Sequence, residues 1–215
     1  MAGAAIIELH EGARRLRAVA PLALELLARP RPRVRVDGGP PREISLRHAE
    51  ILCLLAAHPN GLTAAQLTFH LYGDAGNCVS TRVEMTRLRR MLGEHLDARP
   101  YRLRGRVDVD IAQLERDAAE GAFARALRSY PGELLPESEV PRVRQARDEL
   151  HGAIQRAALM AELYELWTWI GSEPGREDVD ALRAFLRRSE ASDPRRAVVL
   201  ARLRVLERTL ALPAL

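Results

Sequence analysis

Between Ile44 and Asp108 the chain reads as a helix, a turn, a second helix, an arginine-rich third helix and a short alternating stretch. The third helix constrains the fold most, because it divides into a face that must be buried and a face that cannot be. At 100° per residue, from about Ser80 to Gly93, Met85, Leu88 and Leu92 share one narrow sector and form an apolar stripe that has to pack on a core. Opposite them lie Ser80, Val83, Arg87 and Arg90, with Glu84 on the flank. Two arginines, a hydroxyl and a stranded valine suit a nucleic-acid groove, where arginine bonds guanine bidentately and an apolar group meets a thymine methyl. Taken alone, the same face is also what a solvated arginine-rich helix shows.

The neighbours of this helix add to the pattern. Leu46, Ala49, Leu52, Cys53, Leu55 and Ala56 form a helical stripe that ends at His58, and Pro59 with Asn60-Gly61 supplies the stop and the turn. Thr63 and Gln66 have capping-box spacing ahead of a second helix, about Ala64 to Tyr72, that buries Leu67 and Leu71. Gly73, Gly76 and Asn77 break that helix. Thr81 and Glu84 have the same spacing, so Glu84 is read either as a cap or as a group facing bases. Downstream, Tyr101 and Leu103 alternate with Arg102 and Arg104; past Gly105, Val107 and Val109 alternate with Arg106 and Asp108. Period two about a glycine predicts a hairpin with Arg104 and Arg106 at its tip. From Val79 to Arg106 eight arginines face only Glu84, Glu94 and Asp97, a balance of five positive against +4 for the whole chain. The basic charge is localised, as a footprint for phosphate would be.

This segment resembles the OmpR/PhoB-type winged-helix domain of bacterial transcription regulators. The resemblance rests on a helix of the form V-x-(I/M)-x-R-L-R-R, met here as Val83, Met85, Arg87, Leu88, Arg89 and Arg90. In that family the helix enters the major groove of DNA and a hairpin wing touches the adjacent minor groove or backbone. The resemblance therefore implies Ser80, Thr81, Val83, Glu84, Arg87 and Arg90 as helix contacts and Arg102, Arg104 and Arg106 as wing contacts. It extends to Val34, Val36 and Glu43 to Leu46, which in the family belong to a small N-terminal sheet. The sequence departs from the family in lacking a G-x-G-Y wing motif and in placing Arg47 where a capping threonine is common.

Past Asp110 the composition turns helical and the arginine excess disappears. Ile111 to Ala119 and Ala122 to Ser129 read as two helices around Gly121, followed by the proline-rich stretch YPGELLPESEVP. A long helix is expected next, carrying Val143, Ala146, Leu150, Ile154, Ala157, Ala161, Tyr164 and Trp167 on one face. The run from Gly121 to Arg147 resembles the start of the bacterial transcriptional activator domain, a tetratricopeptide-like helical module. The resemblance is clearest to regulators carrying the same winged helix behind a GAF sensor. Asp178 to Leu212 supplies one more helical hairpin, in which Asp193 can cap a helix opening at Pro194. Tyr164, Trp167 and Trp169 are read either as a partner patch or as core. At the other end Ile6, Ile7, Leu9, Leu16, Val19, Leu22, Leu26 and Leu27 read as an amphipathic helix kinked or split at Pro21. That helix would either dock and dimerise or pack on the C-terminal bundle, and ARPRPRVRV follows as a linker. It is too short and charged to span a bilayer, and Glu8 and Glu11 argue against a signal peptide.

At 215 residues the chain has room for two cores. Cys53 and Cys78 do not make a disulfide framework, and all 33 basic residues are arginine. No G-x-G-x-x-G, P-loop, H-E-x-x-H or G-x-S-x-G motif occurs, and the six histidines have no zinc-site spacing. The expected fold class is mainly α with small β. It comprises an N-terminal helix and linker over 1–32, a winged helix-turn-helix over 33–110 and a helical, tetratricopeptide-like domain over 111–215. The expected function is that of a cytoplasmic, sequence-specific transcription regulator binding double-stranded DNA as a homodimer, with no cofactor, no metal, no catalysis and no membrane partner. Its helical domain would meet RNA polymerase or another regulator. The alternative is a non-catalytic helical adaptor whose winged helix contacts protein.

Overall fold

Leu22 and Leu24 are buried while Ala23 and Glu25, which alternate with them, are half-buried, the alternation of a strand with one covered face. The computed structural model describes residues 21–28 and 31–210. It runs β1 (Leu22–Glu25), β2 (Arg33–Val36), β3 (Arg42–Glu43), α1 (Leu46–Ala56), α2 (Ala64–Tyr72), α3 (Cys78–Leu92), β4 (Leu96–Ala98), β5 (Tyr101–Leu103) and β6 (Val107–Val109). Six helices follow: α4 (Asp110–Ala119), α5 (Phe123–Ser129), α6 (Pro141–Met160), α7 (Leu163–Gly171), α8 (Val179–Arg188) and α9 (Arg195–Leu210). The architecture is mainly α with small β, a winged helix followed by a helical domain. Among the described residues no helix is long and apolar enough to cross a membrane.

The first sheet has the order β3-β2-β1-β6. β1 runs antiparallel to β2, with Leu22 opposite Val36, and parallel to β6, with Leu22 opposite Val107. The amphipathic helix expected through Leu27 is corrected here, since its described end is an interior strand of the winged helix. The strand is fixed by partners remote in sequence: Leu22 N–H donates to the Arg106 carbonyl at 2.9 Å, and the Leu26 and Leu27 amides donate to Asp110 Oδ2 at 2.7 and 2.9 Å. β1 lies within the stretch 1–32 expected as N-terminal helix and linker, and it pairs with β2 of the stretch that follows. The remainder of that helix, with Ile6, Ile7, Leu9, Leu16 and Val19, lies outside the described residues.

Local chemistry sets the helix starts. Ser45 caps α1, accepting from the His48 amide, and Thr63 with Gln66 forms the expected reciprocal box on α2. On α3 the cap is Asn77, whose Oδ1 accepts from the Val79 amide at 2.8 Å. The helix thus opens at Cys78, and Thr81 and Glu84 lie inside it rather than forming a box. Thr81, Met85, Leu88 and Leu92 are its buried residues, and each leucine fully withdrawn from water contributes about 1.5–3 kcal/mol.

The helical part shares a core with the winged helix. α6 packs on α1 and α2, and Leu27 bridges Leu134. Glu50, on α1 and 3% exposed, accepts from the Ser138 hydroxyl through Oε1 at 2.7 Å, and its Oε2, which accepts no hydrogen bond, is offset by the charge of Arg47 Nη1 at 2.8 Å. The single helix expected from Val143 to Trp167 is two. Ala161 turns extended, and the Arg188 guanidinium holds the break by donating to the Leu159 and Ala161 carbonyls at 3.2 and 2.6 Å. The aromatic cluster divides: Trp169 is buried and donates to Asp178 Oδ2 at 2.9 Å, Trp167 packs on Phe185, and Tyr164 is exposed. Asp193 accepts from the Arg195 amide at 2.9 Å at the start of α9, as its sequence position predicts.

Candidate nucleic-acid interface

The outer face of α3 is formed by Val79, Ser80, Val83, Thr86, Arg87 and Arg90, all exposed. Val79 and Val83 are 60% and 45% exposed, a cost in water that the fold does not require. Ser80, Val83, Arg87 and Arg90 therefore lie together as expected, and Val79 and Thr86 join them once the helix is seen to start at Cys78. Thr81 does not. It is fully buried, with its Oγ1 2.8 Å from the Thr68 hydroxyl of α2, so the expected DNA contact by its side chain is corrected. The signal was available: at 100° per residue Thr81 falls between Leu88 and Leu92. Glu84 is half-buried on the flank, 2.9 Å from His48 Nε2 and 2.6 Å from Arg87 Nη1.

The hairpin differs from the expected one. β5 pairs with β4, not β6, in the register Leu96 to Leu103, Asp97 to Arg102 and Ala98 to Tyr101, so the turn is Arg99-Pro100. Leu62, after the first turn, adds a bridge to Tyr101 with reciprocal bonds of 2.9 Å. Where the chain crosses the hairpin only glycine fits, since a Cβ on Gly61 (φ +82°) would meet Pro100 Cγ and the Tyr101 carbonyl at 2.9 Å. Arg104 sits at the base, its amide donating to the His95 carbonyl, and Arg106 leads into β6 in the other sheet. Neither is at the tip. The tip residue is Arg99, which the expected residues omitted. The sequence signal for it is a second short alternation, Leu96-Asp97-Ala98, before the Arg99-Pro100 turn.

Carboxylates sort the arginines. Arg102 and Arg104 pair with Asp97 at 2.8 and 3.6 Å, Arg106 with Asp108 at 2.8 Å and Arg87 with Glu84. Arg82, Arg89, Arg90 and Arg99 are exposed and have no ion pair among the described residues. Exposed pairs of this kind are worth at most about 1 kcal/mol, so the paired guanidinia remain available to a stronger anion. Among the described residues no group of three or more His, Cys, Asp or Glu side chains could hold a metal ion. Burial pushes the Cys53 thiol up to about 12, helped by Asp110 and Glu50, which leaves it protonated and unreactive.

An exposed basic helix beside a small hairpin, with a helical domain behind it, is the architecture of a winged-helix protein. The solved structure of Mycobacterium tuberculosis EmbR in complex with a low-affinity phosphopeptide has a similar fold: TM-score 0.50 at 21% identity, covering 88% of this chain and 60% of that one. An uncharacterized 47.3 kDa protein in the thcA 5′ region of Rhodococcus erythropolis is 36% identical over 197 residues, which cover 91% of this chain and 45% of that protein. The chain thus spans less than half the length of that relative and about three fifths of the EmbR chain. Residues 165–212 match the family model for the third C-terminal helical domain of YTH3-like protein, the stretch that holds most of α7 and all of α8 and α9.

Proposed function

We propose that the chain is a DNA-binding transcription regulator that lays α3 in the major groove and the β4–β5 wing on the flanking backbone. The observation that carries this reading is the outer face of α3, where Arg90 stands beside exposed Val79 and Val83 and is flanked by Arg82 and Arg89, none of the three arginines having an ion pair among the described residues. Exposed arginines without an ion pair among the described residues and valines that gain nothing from water are explained together by guanine edges, thymine methyls and phosphates. Ser80, Val83, Arg87 and Arg90 are the groove residues of this reading, with Glu84 beside them; Arg82, Arg89, Arg99 and Arg102 hold the backbone, and Arg104 and Arg106 have a lesser part. One such module buries limited surface, so a homodimer on adjacent half-sites is part of the proposal. RNA polymerase or another regulator would meet the helical domain, where Met160, Tyr164, Val198 and Val205 are exposed. The signal would come through a sensor such as the GAF domain that the resemblance implies.

The test is a duplex titration against salt. With about six phosphates neutralised, affinity should fall roughly a thousandfold between 50 and 200 mM salt. Absence of duplex binding at low salt would overturn the reading in favour of a protein-binding adaptor.

A further inference from the structure

Glu84 is out of place on a surface that meets phosphate, because a carboxylate there repels what the arginines attract. Both its oxygens are engaged. Oε2 lies 2.9 Å from Nε2 of His48, on α1, and Oε1 accepts from Nη1 of Arg87, one turn further along α3, at 2.6 Å. The side chains of His48, Glu84 and Arg87 are 16%, 20% and 61% exposed, so the three run outward from the packed side of the module to its open face. We infer that Glu84 and His48 are positioning residues for Arg87: they hold its guanidinium in one direction across α3 and thereby set its discrimination among base pairs. The inference rests on the DNA-binding reading above.

The chemistry fits the role. A guanidinium has five N–H donors in a planar fork, and the contact at Nη1 leaves others free for the O6 and N7 acceptors of guanine. A free arginine on a helix surface must be ordered when it binds, and fixing a rotamer-rich side chain in advance is equivalent to roughly two- to tenfold in affinity. His48 is itself anchored, on the first turn of a capped helix. Its Nε2 donates to Glu84 both as imidazolium and as the neutral tautomer protonated there, so the arrangement does not depend on the charge of the ring. Arg90 lies on the same face with no carboxylate partner among the described residues and serves as the internal contrast to the held Arg87.

The test uses the full chain and two duplexes, the preferred site selected from a random pool and a scrambled duplex of equal length. Glu84→Ala removes a negative charge and releases Arg87. Affinity for the scrambled duplex should rise, while the ratio of preferred to scrambled falls by roughly two- to tenfold. His48→Ala should lower the ratio in the same direction, and His48→Gln, whose amide can donate to Glu84, should restore it. With Arg87 already alanine, Glu84→Ala should leave the ratio where it is. A purely structural role would instead weaken both duplexes alike, together with the melting temperature. The proposal is overturned by a ratio that Glu84→Ala does not change, or by a loss of ratio that persists in full without Arg87. Failure of the unaltered chain to bind any duplex would overturn the DNA reading itself and this inference with it.

Discussion

The Thr81 hydroxyl faces inward and meets that of Thr68, which in turn donates to the Ala64 carbonyl at 2.7 Å, so α2 and the start of α3 are joined by a short relay. Thr81→Val keeps the shape and removes the donor. It should cost about 1 kcal/mol, read as a lower urea midpoint, with duplex affinity unchanged; weakened DNA binding at full stability would return Thr81 to the interface. At the wing tip the expectation is the reverse. Arg99→Ala should leave stability alone, weaken preferred and scrambled duplexes equally and lower the salt slope by about one. An unaltered slope would remove the tip from the interface. These two residues also show what a single sequence reveals. The stripe of α3 is legible because its period is internal to one helix. The wing tip is ambiguous because Tyr101 to Leu103 alternates equally well with the residues on either side of it, and only pairing decides.

At the scale of elements, β1 is the least legible part of the fold. Four residues are too few to separate period two from a helical stripe, and the strand is defined by β2 and, more than eighty residues away, by β6. A chain beginning at residue 33 should therefore lose the interior strand and its cooperative melting, whereas one beginning at residue 21 keeps the strand. Equal melting curves would show that β1 is dispensable. Asp110 joins this strand to α4. Its carboxyl is held above the ordinary carboxylate range, chiefly by burial, against the pull of the Leu27, Leu26 and Ile111 amides. The native state then binds more protons than the unfolded one between the ordinary value and the raised one. Stability from this group falls as pH rises through that window. Asp110→Asn should remove the slope, so that the gap in denaturation midpoint between variant and parent changes across mildly acidic pH. A constant gap would contradict the assignment.

At the scale of the whole molecule, the continuous packing of α6 on α1 and α2, with Glu50 bound to Ser138 inside it, should make the two halves unfold together. Calorimetry should give a single transition whose calorimetric and van't Hoff enthalpies agree; two separated transitions would show independent domains. The parallel pairing of β1 with β6 has a mechanical consequence. Everything proposed to touch DNA lies in the loop of chain between these two strands, which run the same way side by side with Leu22 opposite Val107 and Leu24 opposite Val109. Tension applied to the chain on either side of the module pulls β1 from its first residue and β6 from its last. The hydrogen bonds between them are then loaded together in shear instead of opening one after another, so this short seam acts as a clamp that keeps the basic surface folded under load.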